Sequence, residues 1–208
     1  MTNFLLLRHG ETLWNLEGRL QGWQDSPLSD AGRAQADALA ARLAGERVDA
    51  IVTSDLGRTR DTAAPIAARL GLALQLDAGL RERCYGEFEN MTWPEIERAR
   101  PWDYQRLAAR DPEYVVPGGE SSVQFRDRVV SAFEHIARSH AGATVAVVTH
   151  GGVLGIVYRH ANDIALEMPR TFSVPNAAVN RVRIDARRWA IEAWADTGHL
   201  AEGALDDE

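Results

Sequence analysis

One stretch constrains this chain more than any other: Thr144-Val-Ala-Val-Val-Thr149, six residues with no polar face. Such a β-branched, uninterrupted apolar run belongs to a strand buried on both sides, and such strands sit inside parallel sheets with helices on each face. The run stops at His150-Gly151-Gly152, and a helical pattern follows. The same order recurs elsewhere. Residues 3–7 form a short apolar run ended by Arg8-His9-Gly10. Asp49–Ser54 leads into Asp55 and a helix of about 56–70 that stops before Gly71, with a third short strand at Leu72–Leu76. Ser29 is placed to cap a helix that repeats Ala and Leu at helical spacing until Gly45, and Ser121 or Ser122 caps another through His140. Residues 178–184 and 188–194 alternate like two more strands joined by a turn. This β-α-β-α order predicts an α/β fold: a single three-layer α/β/α domain with a mostly parallel central sheet.

The length, 208 residues, suits one such domain. About residues 81–120 the rhythm breaks, with Trp93, Pro94, Pro101, Trp102, Pro112, Pro117, Gly118 and Gly119 close together. That stretch is expected to be an inserted, partly helical cover over one face. The polar, acidic tail, 197–208, is expected to be loose.

Charge narrows the partners. With 23 Lys+Arg against 30 Asp+Glu, the net charge is −7, which argues against general nucleic-acid or anionic-membrane binding. A local arginine cluster can still grip a small anion, because desolvated charges act over short range. The one cysteine, Cys84, can form no intrachain disulfide and no cysteine-based zinc site. No stretch reaches the roughly 20 apolar residues needed to span a bilayer. The N-terminus lacks the pattern of a secretory signal, so a cytoplasmic location is expected.

In parallel sheets, sites form beyond the carboxyl ends of the strands. Three strand ends here carry chemistry: Arg8-His9, then Ser54-Asp55-Leu56-Gly57-Arg58, then Thr149-His150-Gly151. Two arginines and two histidines brought to one edge need an anion between them. A phosphoryl group fits, since its oxygens match the guanidinium fork. Helix N-termini after Arg58 and after His150 would add backbone donors. His9 could then attack phosphorus through a neutral ring nitrogen, while Arg8, Arg58 and His150 spread the charge of the transferring group. A proton donor for the leaving oxygen could come from Glu82, Glu87 or Glu89. A carboxyl crowded by a phosphate dianion holds its proton to higher pH, as a general acid must.

The other conspicuous residues have ordinary readings. His135, His140, His160 and His199 read as hydrogen-bonded or surface histidines, and Cys84 as an inert small side chain. Six tryptophans read as core and cover. No HExxH or similar ligand spacing suggests a metal.

Together these segments resemble the histidine phosphatase superfamily, in its phosphoglycerate mutase-like branch. LLLRHGETLWN carries its Arg-His-Gly-Glu-Thr signature, and GRLQGWQDSPLSDAGRAQADALA is similar to its substrate loop and first helix. TSDLGRTRDTA follows its Ser-x-Leu-x-Arg-x-x-x-Thr pattern. LRERCYGEFEN resembles the segment with the acidic proton donor, PGGES precedes the long helix, VVTHGG is the second histidine motif and PNAAVNRV the closing strand. The likeness covers about residues 3–185. It implies that His9 is the phosphorylated nucleophile and Glu82 the general acid. It implies that Arg8, Asn15, Arg58, His150 and the amide of Gly151 hold phosphate, and that Gln21, Gly22 and Tyr85 border the substrate. Loop packing is the competing reading for Gln21 and Tyr85. The implied reaction needs no metal and no nucleotide cofactor. The implied partner is a small phosphorylated metabolite, and a homodimer is common in the family.

The family holds phosphatases and mutases. A mutase must retain a bisphosphorylated intermediate, and mutases resemble one another in a basic cluster with paired arginines ahead of the long helix. Here Arg98, Arg100, Arg106 and Arg110 are scattered, no lysine is present, and Asp111 and Glu113 are acidic. Gln21 stands where mutases carry Thr or Ser, and Asn90 where Gly is common. A phosphomonoesterase working through phosphohistidine is therefore expected. A 2,3-bisphosphoglycerate-dependent phosphoglycerate mutase is the alternative, and a non-catalytic phospho-ligand binder a weaker one.

Overall fold

The computed structural model describes residues 1–185, 188–200 and 206. Six strands form one sheet: β1 (Thr2–Arg8), β2 (Ala50–Thr53), β3 (Leu74–Leu76), β4 (Thr144–Thr149), β5 (Val179–Ile184) and β6 (Trp189–Asp196). Their spatial order is β3-β2-β4-β1-β5-β6. β3, β2, β4 and β1 run parallel, and β5 and β6 add an antiparallel margin beside β1. The uninterrupted apolar run, β4, lies inside the sheet between β2 and β1.

Residue alternation divides the core into the two faces that a three-layer fold needs. Phe4, Leu6, Val145 and Val147 point to one face, where they meet Val129, Phe133 and Ile136 of α6 (Ser122–Ser139) and Val153, Leu154 and Val157 of α7 (Gly151–Ala161). Leu5, Leu7, Ala146 and Val148 point to the other. There they meet Leu39 and Leu43 of α2 (Asp30–Leu43) and Ala63 and Ile66 of α3 (Gly57–Leu70).

The helix starts follow capping chemistry. Ser29 accepts from the Gly32 amide, and Ser121 forms a full capping box with Gln124. β3 keeps three of the five residues expected, and β6 runs two residues farther than expected. A five-residue helix, α1 (Leu13–Glu17), was not anticipated. Thr12 and Asn15 cap it reciprocally, and Gly18 ends it in the left-handed region.

Residues 81–120 carry α4 (Trp93–Ala99) and α5 (Pro101–Ala108), each with a proline in its first turn. They enclose a small core of their own, formed by Phe88, Ile96, Tyr114 and Val116. Of the tail, residues 201–205, 207 and 208 lie outside the described residues. Leu200 packs against the α2/α3 side of the core, and the Asp206 carboxylate accepts from the Val174 amide. Among the described residues no helix is long and apolar enough to cross a membrane.

Candidate active site

Strand register brings the chemistry together. Arg8 pairs with Thr149 across β1 and β4, and the next amide, that of His9, donates to the Thr149 carbonyl at 2.9 Å. Thr53 pairs with Val148, and the Ser54 amide donates to the Val148 carbonyl at 3.1 Å. Three strands therefore end at one height. Arg8, His9, Arg58 and His150 gather there, each no more than 3% exposed.

His9 is fixed on several sides. The Asn176 side-chain amide donates to its carbonyl at 3.0 Å, and the Gly10 amide donates to the Thr62 hydroxyl at 3.0 Å. The ring Nδ1 lies 2.8 Å from the Gly10 carbonyl. A carbonyl only accepts, so Nδ1 carries the proton and the lone pair sits on Nε2. Gly10 is needed for close approach: a Cβ there would lie 2.4 Å from the Gly32 carbonyl oxygen at the start of α2. Burial, then the charges of Arg58 and Arg8, hold the His9 pKa well below the usual imidazole range. His150 stacks edge-on to it, ring centroids 5.4 Å apart. Its pKa is likewise lowered, by burial first and then by Arg58. Both rings are neutral at pH 7, as a nitrogen nucleophile beside cations must be.

The two arginines are anchored differently. Arg8 donates to the Val174 carbonyl, and its guanidinium lies against Gly151, where a Cβ would approach Arg8 Cζ to 3.3 Å. Arg58 donates to the carbonyls of Gly22 and Gln24, each near 2.8–2.9 Å, and to Asp25 at 2.8 Å. Its Nε is buried with no hydrogen-bond partner among the described residues. Asp25 also receives the amides of Gly57 and Arg58. This corrects one expectation. The α3 N-terminus is already satisfied by a carboxylate of the substrate loop, because a helix start prefers an anion and Asp25 reaches it first.

The three candidate carboxyls are now distinguishable. Glu87 pairs with Arg100 on the exterior. Glu89 accepts from the amides of Trp23, Gln24 and Tyr85, at 2.8, 3.0 and 3.1 Å. Glu82 alone lies at the start of α7, accepting from the Gly152 amide at 2.8 Å and from the Arg83 amide at 2.8 Å. Gly152 leaves it room, since a Cβ there would fall 2.1 Å from Glu82 Oε1.

The remaining expected residues surround this centre. Gly151 opens α7 directly after His150. Asn15 commits its Oδ1 to the Thr12 amide and hydroxyl, so donation to an anion falls to its amide nitrogen. Gln21 is buried, and its Oε1 has no partner among the described residues. Gly22 adopts φ +55°, and a Cβ there would strike Glu89. Tyr85 packs into the cover's core and takes its amide to Glu89. Asn90, where Gly is common, has φ +68°, a conformation Asn tolerates better than most.

Sequence reasoning gave no role to Asp25, Thr62 or Asn176, and it offered Glu89 as a proton donor, whereas its carboxylate accepts from three backbone amides. Ser54 and Thr62 lie in the recognised pattern, but only the fold reveals what they touch. Among the described residues no group of three or more His, Cys, Asp or Glu could hold a metal ion.

The model of the histidine phosphatase superfamily (branch 1) matches residues 4–197. A phosphoglycerate mutase-like protein 4 from Arabidopsis thaliana is 38% identical over 202 residues, covering 95% of this chain and 86% of that protein. A metal-independent phosphoserine phosphatase from the same plant is 38% identical over 204 residues, covering 97% and 84%. The solved structure of Bacillus stearothermophilus YhfR superposes with a TM-score of 0.90 at 32% identity, covering 96% of this chain and all of that one.

Proposed function

The chain belongs to the histidine phosphatase superfamily, branch 1, and from that premise we propose that it hydrolyses small phosphate monoesters through a phosphohistidine on His9. One observation carries the reading. A neutral His9, its Nδ1–H given to Gly10 and its Nε2 lone pair left to attack, lies in a buried cluster with Arg8, Arg58 and His150.

The steps follow from these groups. His9 Nε2 attacks phosphorus in line with the ester oxygen, and the P–O bond breaks as the N–P bond forms. Glu82, as the carboxylic acid, gives its proton to the departing alkoxide, so an alcohol leaves. Arg8, Arg58, His150 and the Gly151 amide stabilise the three equatorial oxygens, and Asn15 donates at the rim. Water then attacks phospho-His9. Glu82, now the carboxylate, takes a proton from that water, and orthophosphate departs with His9 neutral again.

Hydrolysis is favoured over mutase turnover by the state of the cover's arginines. Arg100 is paired with Glu87, and Arg106 with Asp111 while lying over the rings of Trp102 and Tyr114. Cations engaged in this way are poor holders for the second phosphate of a bisphosphorylated intermediate. Gln21, Gly22 and Tyr85 wall the alcohol side. Phosphoserine and phosphoglycerate-type acids are the first esters to try, followed by sugar phosphates and nucleotide monophosphates. The reading includes a cytoplasmic location and a homodimer, checked by cell fractionation and light scattering.

The test is phosphate release from a panel of these esters, with 3-phosphoglycerate plus 2,3-bisphosphoglycerate included. Efficient interconversion of 2- and 3-phosphoglycerate with no monoester hydrolysis would establish the mutase instead. Phosphate-ester binding without turnover, unchanged in His9→Ala, would establish a binder.

A further inference from the structure

His150 carries no charge at neutral pH, so it has one ring proton, and the phosphoryl pocket depends on which nitrogen holds it. Its Nε2 lies 3.0 Å from the Ser54 hydroxyl, and both residues are wholly buried. Its Nδ1 has no hydrogen-bond partner among the described residues. The hydroxyl has one other contact, accepting from the Leu56 amide at 3.4 Å. An amide can only donate, so that contact leaves the hydroxyl proton a single acceptor, His150 Nε2. With Nε2 protonated the hydroxyl would accept from it and bury its own proton without an acceptor, which disfavours that tautomer, so Nε2 holds the lone pair and Nδ1 the proton.

We propose that Ser54 is a positioning residue that fixes the His150 tautomer, burying the ring's lone pair at Nε2 and leaving Nδ1–H as a directed donor to the phosphoryl group. This rests on the phosphatase reading of the site. Ser54 is well built for the task. Its amide donates to Val148, and its carbonyl accepts from the hydroxyls of Thr53 and Thr59, at 3.1 and 2.9 Å. The hydroxyl therefore projects from a backbone held on both sides at the end of β2.

The two histidines then share one tautomer and use it oppositely. His9 gives Nδ1–H to the Gly10 carbonyl and keeps its Nε2 lone pair for phosphorus. His150 hides its lone pair against Ser54 and keeps its N–H for oxygen. With the other His150 tautomer, an Nδ1 lone pair would face anionic oxygens, and the pocket would hold two competing nucleophilic rings with centroids 5.4 Å apart.

The experiment is two-bond 1H–15N correlation of the full-length, 15N-histidine-labelled protein at neutral pH, with His150 assigned by comparison with His150→Gln. The expected spectrum shows Nδ1 protonated and Nε2 unprotonated, and the Nδ1–H resonance moves when inorganic phosphate is added. Ser54→Ala is expected to mix the two tautomers and lower kcat about tenfold with little change in KM, the scale of one hydrogen bond. Ser54→Thr, which keeps the hydroxyl, restores the single tautomer and most of kcat. A wild-type spectrum with Nε2 protonated overturns the proposal, as does an unchanged tautomer in Ser54→Ala. Should Ser54→Ala fail to fold, the wild-type spectrum and Ser54→Thr still decide. A protein with the expected tautomer that hydrolyses no ester would defeat the phosphatase reading and leave the role of Ser54 standing.

Discussion

The sheet edge and the cover segment build the same site by different means. At the edge, Arg8, His9, Ser54 and His150 are placed by strand register and backbone hydrogen bonds between elements more than 90 residues apart. In the cover, Glu82, Tyr85 and Glu89 are placed by side chains meeting amides, by Glu87–Arg100, and by a core of a few residues. The edge has no freedom to shift, because moving one strand end moves all three. The cover can be altered contact by contact. Rigid geometry thus serves phosphoryl transfer, and adjustable geometry serves proton delivery and the choice of ester.

That contrast can be broken first at its rigid end. His9→Ala should abolish turnover by at least about three orders of magnitude while leaving the circular dichroism spectrum and the melting temperature near wild type. Residual turnover close to wild type would remove His9 from the mechanism.

Gly152→Ala tests the joint between the regions. Its Cβ would press on Glu82 Oε1, so the general acid must move. A fall in kcat of about 10²-fold is expected for alkyl phosphates, within the range for losing a positioned acid. The loss should be much smaller for p-nitrophenyl phosphate, whose leaving group needs no proton. Equal losses on both would mean that the substitution damages the phosphate grip instead.

The buried histidines link the rigid edge to pH. Both have folded-state pKa values below the unfolded value near 6.5, so the unfolded chain binds more protons in mild acid. Their stability contribution is fully present above about pH 6.5 and is lost as pH falls below it, by up to about 1.4 kcal/mol per pH unit for each ring. Urea unfolding between pH 7.5 and 5 should show this slope, reduced in His9→Ala. A slope indifferent to that substitution would count against a neutral buried His9.

Glu89→Gln should have the smallest effect. One amide oxygen cannot accept from all three N–H groups that Glu89 serves, so loop 22–24 loosens at the Gly22 and Gln24 carbonyls that hold Arg58. A three- to tenfold rise in KM with a smaller change in kcat is expected, about the cost of one charged hydrogen bond. Steady-state kinetics on two esters of different size would show whether selectivity shifts with it.

Much of the edge was legible in the chain. Apolar β-branched runs mark strands, and a cation or imidazole following one directly marks a strand end, so Arg8-His9 and Thr149-His150 are placed by the sequence alone. Ser29 and Ser121 announced their helices because capping is local. The roles of Asp25, Glu89 and Asn176 were not legible. An acid in a turn looks solvated, and these residues act on backbone groups 32 to 167 positions away. Helix α1 escaped notice because five residues are too short to show a periodicity. The α3 N-terminus was misjudged because its anion comes from within the protein.

The cover leaves and rejoins the domain through a narrow neck. Glu87 N donates to the Pro117 carbonyl, Glu120 N donates to the Cys84 carbonyl, and Gly86, at φ +50°, has no space for a Cβ beneath Pro117. Everything between these contacts, α4 and α5 included, is an excursion with its ends already joined. Lengthening or trimming such a loop costs little closure entropy, since the cost grows only with the logarithm of its length. For a lineage of these proteins, α4 and α5 are exchangeable cargo, while Glu89 beside the neck must stay to hold the substrate loop. New walls for new esters can be spliced in there while the proton donor a few residues upstream stays where it is.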